Sequence, residues 1–193
     1  TPIAEGKPAA ATIGSYQRRN GYFSHQVKAA SGNRDIEVYI PKGARQREFW
    51  IGMALPEGVK SNAFLSSSGW FGIADKTLAC LLIMKPGSSG AWGNVESELD
   101  YMNAAMSTLV SNGPYYSAFT YDYLVGYDKG APALQLWAAS HPLSMISQVY
   151  VNAEADAAYD ALLTAVGNTQ VGATPQPIHM DFVGYKDING NPV

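Results

Sequence analysis

The chain has 193 residues, 47% of them hydrophobic and 15% charged, with a formal net charge of −3 and a single cysteine. That length can bury the core of one domain, the charge gives no positive field to attract nucleic acid, and one cysteine excludes an internal disulfide and a cysteine-rich zinc site. No run approaches the ~18–20 apolar residues of a membrane helix, and the sequence calls for no cofactor or metal.

Few charges, with 12 Tyr and 19 Gly, fit a secreted or cell-envelope protein. Residues 1–21, rich in Ala, Gly, Ser and Thr, read as a flank over the domain, and 22–193 as its core. Residues 35–40 alternate with period two and stop at Pro41-Lys42-Gly43, the pattern of a half-buried strand and a turn. Residues 49–55 read as a second strand, ended by Pro56-Glu57-Gly58, and the short link between the two suggests an antiparallel hairpin at a sheet edge. Ala63-Phe64-Leu65 reads as a short third strand running into Ser66-Ser67-Ser68-Gly69. The unbroken apolar run 78–84 predicts a strand buried on both faces of a parallel sheet, with Cys80 as a core residue.

The period then changes. Leu99, Met102, Ala105, Met106 and Leu109 recur at helical spacing, with Glu96, Glu98 and Asp100 in the early turns where the helix dipole favours acids. Asn94 is placed to cap this helix and Asn112-Gly113-Pro114 to stop it. A strand over 121–127, a helix from about Gly130 to His141, a strand over 146–151, a helix over 153–166 and a strand over 178–183 follow. Strands alternating with helices predict an α/β fold, a mainly parallel sheet with helices on both faces.

Gly126-Tyr127-Asp128-Lys129-Gly130 joins a predicted strand to a predicted helix. The pattern is that of a nucleophile elbow, in which small flanking residues let strand and helix approach while the central side chain stands above the sheet. The stretch "LVGYDKGAPALQLWAASHP" at 124–142 resembles the elbow, following helix and His-Pro turn of α/β-hydrolases. Upstream, "SSSGWFGIADKTLACLLIMKPG" at 66–87 and "AWGN" at 91–94 are similar to secreted esterases related to polyhydroxybutyrate depolymerases and feruloyl esterases. The resemblance implies an α/β-hydrolase fold and an activity on small or polymeric esters. It places Asp128 where those esterases carry serine, so that Asp128 or a serine nearby would attack the ester. It makes the backbone N–H groups of Lys129 and of Gly69 or Trp70 candidates for holding an oxyanion.

Aspartate at the elbow resembles instead the epoxide hydrolases and haloalkane dehalogenases, whose elbow carboxylate attacks carbon and forms an ester intermediate; Lys129 departs from them, because an aromatic residue usually follows that aspartate. On a third reading the elbow survives as architecture in a non-catalytic binding or assembly subunit, with Asp128 paired to Lys129 or capping the helix. Trp92, Tyr115, Tyr116 and Tyr127 are candidates for an aromatic pocket, or for core and rim.

The resemblance also implies a triad acid in the loop 184–192, where Asp187 is the candidate, and Asp-Ile-Asn-Gly there equally makes a plain turn. A calcium loop at that place would need more ligands than the stretch supplies. The three histidines are His25, ahead of the first expected strand, His141 at a helix end, and His179, which strand alternation sets on the same face as Asp181. None follows Asp187. A conventional triad therefore requires a histidine from a further segment or a second chain, which would also complete the C-terminal end of the sheet.

Overall fold

The computed structural model describes residues 20–44, 49–110, 122–141, 145–153, 170–171, 174–175 and 179–183. In chain order these form β1 (Gly21–Ala29), β2 (Gly32–Ile40), β3 (Trp50–Ala54), α1 (Ser61–Ser67), α2 (Trp70–Thr77), β4 (Cys80–Met84) and α3 (Val95–Val110). There follow β5 (Asp122–Tyr127), α4 (Ala131–Ser140), β6 (Met145–Val151), β7 (Gln170–Val171), β8 (Thr174–Pro175) and β9 (His179–Val183). Seven strands make one sheet in the order β1-β2-β4-β3-β5-β6-β9, and β7 pairs with β8 separately. Neighbours from β4 to β9 are parallel, whereas β2 runs antiparallel to β4 and to β1.

Two faces of this sheet are covered, as its apolar strands demand. Along β4, Cys80, Leu82 and Met84 join the cluster under α3 and α4, while Leu81 and Ile83 join the cluster under α1 and α2. All five β4 residues are buried, so period-two alternation here separates two cores rather than a core from water. Helix α3 presents Met102, Ala105 and Met106 to the sheet. It starts at the predicted cap, where Asn94 Oδ1 accepts the Ser97 N–H at 2.9 Å.

Several expectations change. The edge hairpin is β1 with β2, because β4 lies between β2 and β3. Strand β3, buried at every position, takes a parallel neighbour on each side instead of an antiparallel edge partner. His25 lies within β1, opposite Ile36, where burial lowers its pKa. The polar run Ser24-His25-Gln26 conceals this strand from a reading by alternation. Residues 63–65 lie in helix α1, where the Phe64 N–H donates to the Lys60 carbonyl and the Ser68 N–H to the Phe64 carbonyl, each at 2.9 Å. Three apolar residues are too few to distinguish the two periods. The flank before Asn20 and positions 154–166 of the expected helix lie outside the described residues.

Glu98 departs from the dipole expectation too. It is 4% exposed, and its Oε2 lies 3.1 Å from Arg34 Nη2 while its Oε1 accepts the Gly93 N–H at 2.8 Å. Arg34 covers the Tyr101 ring at 3.9 Å and donates to the Lys85 carbonyl at 3.0 Å. The pair ties the edge hairpin to α3 and to the loop that leaves β4.

Candidate active site

Strands β3 and β5 are parallel neighbours with Ala54 opposite Gly126, yet the chain leaves them in opposite directions, from β3 toward β4 and from β5 toward β6. Open α/β sheets bind ligands at such a switch point, beyond the carboxyl ends of the strands. Asp128 stands there, opening a single 3-10 turn (Asp128–Gly130) that runs into α4.

Its backbone is left-handed, with φ +46°. The flanking glycines hold this turn tightly against its surroundings. A Cβ on Gly126 would lie 2.9 Å from Tyr150 Cδ1 and 3.0 Å from Ala131 Cα, and one on Gly130 would lie 2.9 Å from the Trp92 ring. The half-buried Asp128 carboxylate makes no ion pair or hydrogen bond among the described residues, and Lys129 beside it is exposed. Neither it nor any other described side chain caps the N-terminus of the turn or of α4. Both structural roles considered for Asp128, pairing with Lys129 and capping the helix, are therefore unfilled.

The other expected residues sort by face. Tyr127 Oη accepts the Trp70 indole N–H at 2.8 Å, and the Phe64 ring meets Tyr127 edge-on at 5.0 Å. Burial raises the Tyr127 pKa, and the hydrogen bond from Trp70 acts in the opposite sense. Trp70 thus reaches the elbow through its side chain. Gly69 joins α1 to α2 with φ +81°, and its N–H donates to the Ser66 carbonyl at 3.4 Å. Trp92 packs in the cluster on the opposite face from Tyr127, so these two do not share one pocket. Tyr115, Tyr116 and Asp187 lie outside the described residues.

Neither His25 nor His141 stands at this rim, and His179 sits well below it. His25 belongs to the edge strand. His141 ends α4, stacked on Trp137 at 4.3 Å with Nδ1 2.9 Å from the Trp137 carbonyl. His179 pairs in register with Ser147 and, through it, with Tyr123. That level is ~13 Å along the strand from Tyr127 at ~3.3 Å per residue.

Two rim residues escape a sequence reading. Asn152, with φ +52°, follows Val151, the register partner of Tyr127, and so stands next to Asp128 at the end of β6. Glu57 lies just past β3, and its Oε1 accepts the Trp92 backbone N–H at 2.8 Å. Pro56-Glu57-Gly58 looks like any turn until the strand order places it beside the elbow.

No protein-family profile matches the chain, and no curated protein sequence matches it. Solved structures do resemble it. The serine hydrolase FphF of Staphylococcus aureus aligns with a TM-score of 0.58 at 10% identity, over 88% of this chain and 92% of that one. The esterase domain of a Rhodothermus marinus protein gives 0.52 at 14% identity, over 72% of this chain and 55% of that one. Est1E from Butyrivibrio proteoclasticus gives 0.52 at 11% identity, over 66% of this chain and 50% of that one. The chain thus spans about half the length of the last two. Such identities speak for architecture alone, and with the strand order and the elbow they establish it: the chain has the α/β-hydrolase fold.

Proposed function

We propose that this chain hydrolyses esters, with Asp128 as the base that activates the attacking water. Asp128 itself carries the reading. It is a non-glycine residue in left-handed backbone at the switch point, without a structural partner among the described residues. Such a conformation costs on the order of 1 kcal/mol and persists only where its surroundings over-determine it, as the contacts at Gly126 and Gly130 do here. The serine hydrolase and the esterase domain among the structural neighbours support an ester as the bond attacked. Aspartate in place of serine changes the step. Carboxylate attack on an ester carbonyl would give a mixed anhydride, higher in energy than the ester, whereas a base has only to take a proton from water.

The Lys129 N–H, in the first turn of helical backbone, is free of an intrahelical acceptor by position and suits the developing oxyanion. Phe64, Trp70 and Tyr127 form an aromatic cluster next to Asp128 in the chain, which supports a substrate of the depolymerase or feruloyl-esterase kind. The test is ester turnover by the protein and by Asp128→Asn. Removing a general base lowers the rate about 100- to 10,000-fold, and wild-type turnover by Asp128→Asn would rule Asp128 out.

A further inference from the structure

We propose that Glu57 is the acid partner of Asp128, giving its proton to the departing alcohol; the proposal rests on the hydrolase reading above. Ala54 and Gly126 are register partners on parallel strands, so the chain segments beyond them leave the sheet side by side at one rim. Asp128 comes two residues past Gly126 and Glu57 three past Ala54, on strands ~4.8 Å apart.

A chain of contacts joins the two. Glu57 Oε1 accepts the Trp92 backbone N–H at 2.8 Å, and the Trp92 indole N–H donates to the Leu55 carbonyl at 2.8 Å. The same indole ring fills the space beside Gly130, where a Cβ would lie 2.9 Å from it. Glu57 is thereby anchored through one oxygen to a residue that packs on the elbow. Its other oxygen has no partner among the described residues, and the side chain is half-buried. One oxygen held and one open is the arrangement a proton donor needs.

An alkoxide leaves an ester poorly unless it is protonated, and the backbones of His25, His141 and His179 lie away from this rim. Two carboxylates at one rim can divide the work, one taking a proton and the other giving it. Asp128 takes a proton from water as the water oxygen bonds to the carbonyl carbon. The bond from that carbon to the alkoxy oxygen then breaks, its electron pair stays on oxygen, and Glu57 protonates it. Carboxylic acid and alcohol depart, and the proton on Asp128 returns to Glu57 through solvent.

Leaving-group dependence tests this. Turnover of an alkyl acetate and of p-nitrophenyl acetate is compared for wild type, Glu57→Gln and Glu57→Asp. Nitrophenolate departs without a proton; alkoxide does not. Glu57→Gln should therefore lower kcat on the alkyl ester by about 100-fold or more and leave the nitrophenyl ester near the wild-type rate, with Glu57→Asp restoring part of the loss. The amide oxygen introduced by Glu57→Gln can still accept the Trp92 N–H, so a purely structural role predicts no such selectivity, and the nitrophenyl rate doubles as a check on folding. Equal losses on both esters, or none on the alkyl ester, overturn the proposal while the hydrolase reading stands. A wild-type protein inactive on both esters takes down the two together.

Discussion

Asp128 and Glu98 are acids of the same sheet rim, one just past β5 and the other past β4, and the fold treats them in opposite ways. Glu98 is 4% exposed, with Arg34 at 3.1 Å and the Gly93 N–H at 2.8 Å. Asp128 is half-buried in left-handed backbone, with no partner among the described residues. A buried charge is tolerable only when paired and hydrogen-bonded, so Glu98 is explained by what it joins. Asp128 joins none of the described side chains, and its position is set by Gly126, Gly130 and the rings packed on them. Two acids that look alike in a sequence are thus separated by their surroundings into one that is paired and one that is left open for the proposed chemistry.

The sharpest way to break this comparison is to neutralise each acid and measure both stability and rate. Asp128→Asn should lower ester turnover about a thousandfold, roughly 4 kcal/mol in the barrier. It should leave the unfolding free energy read from urea within about 0.5 kcal/mol of wild type, as at a position without structural contacts. Glu98→Ala should do the reverse. It leaves the Arg34 guanidinium, whose side chain is 14% exposed, without its counter-charge, and breaking such a pair costs about 3 kcal/mol. The urea midpoint of Glu98→Ala should fall accordingly, while protein that remains folded keeps the Asp128 site. Equal destabilisation by the two substitutions would erase the distinction.

Much of the architecture is legible in the sequence where one physical signal dominates. The run at β4, the helical spacing of α3 with its Asn94 cap, and the strand, turn and helix around Asp128 all lie within a residue or two of where pattern puts them. Legibility fails where the signal is shared or non-local. Ser24-His25-Gln26 interrupts the alternation of β1, and Ala63-Phe64-Leu65 is too short to choose a period. The placing of β4 between β2 and β3 is a pairing decision among distant segments, invisible to any local window. The site divides along the same line. Asp128 is found from a contiguous pentad, but Glu57 and Asn152 acquire meaning only once parallel register sets them beside it. Likewise Glu98 reads as a dipole-favoured acid until Arg34, from strand β2, is brought against it.

The rigid surroundings of Asp128 can be probed directly. Gly126→Ala sets a methyl against Tyr150 Cδ1 at 2.9 Å and Ala131 Cα at 3.0 Å. The second contact is backbone, which cannot swing aside. Overpacking of this kind costs about 2 kcal/mol, and a displaced strand–helix junction should also lower turnover, unlike Glu98→Ala. A smaller effect tests the rule from the other side. Gln135 is fully buried on the α4 stripe that carries Ala131, Leu134 and Ala138, and neither amide atom has a partner among the described residues. If an unpaired buried polar group carries only its desolvation cost, Gln135→Leu should stabilise the protein by about 1 kcal/mol, read as a higher urea midpoint. A loss of stability instead would mean that Gln135 is bonded as Glu98 is, and would move it from the unpaired to the partnered class beneath the elbow helix.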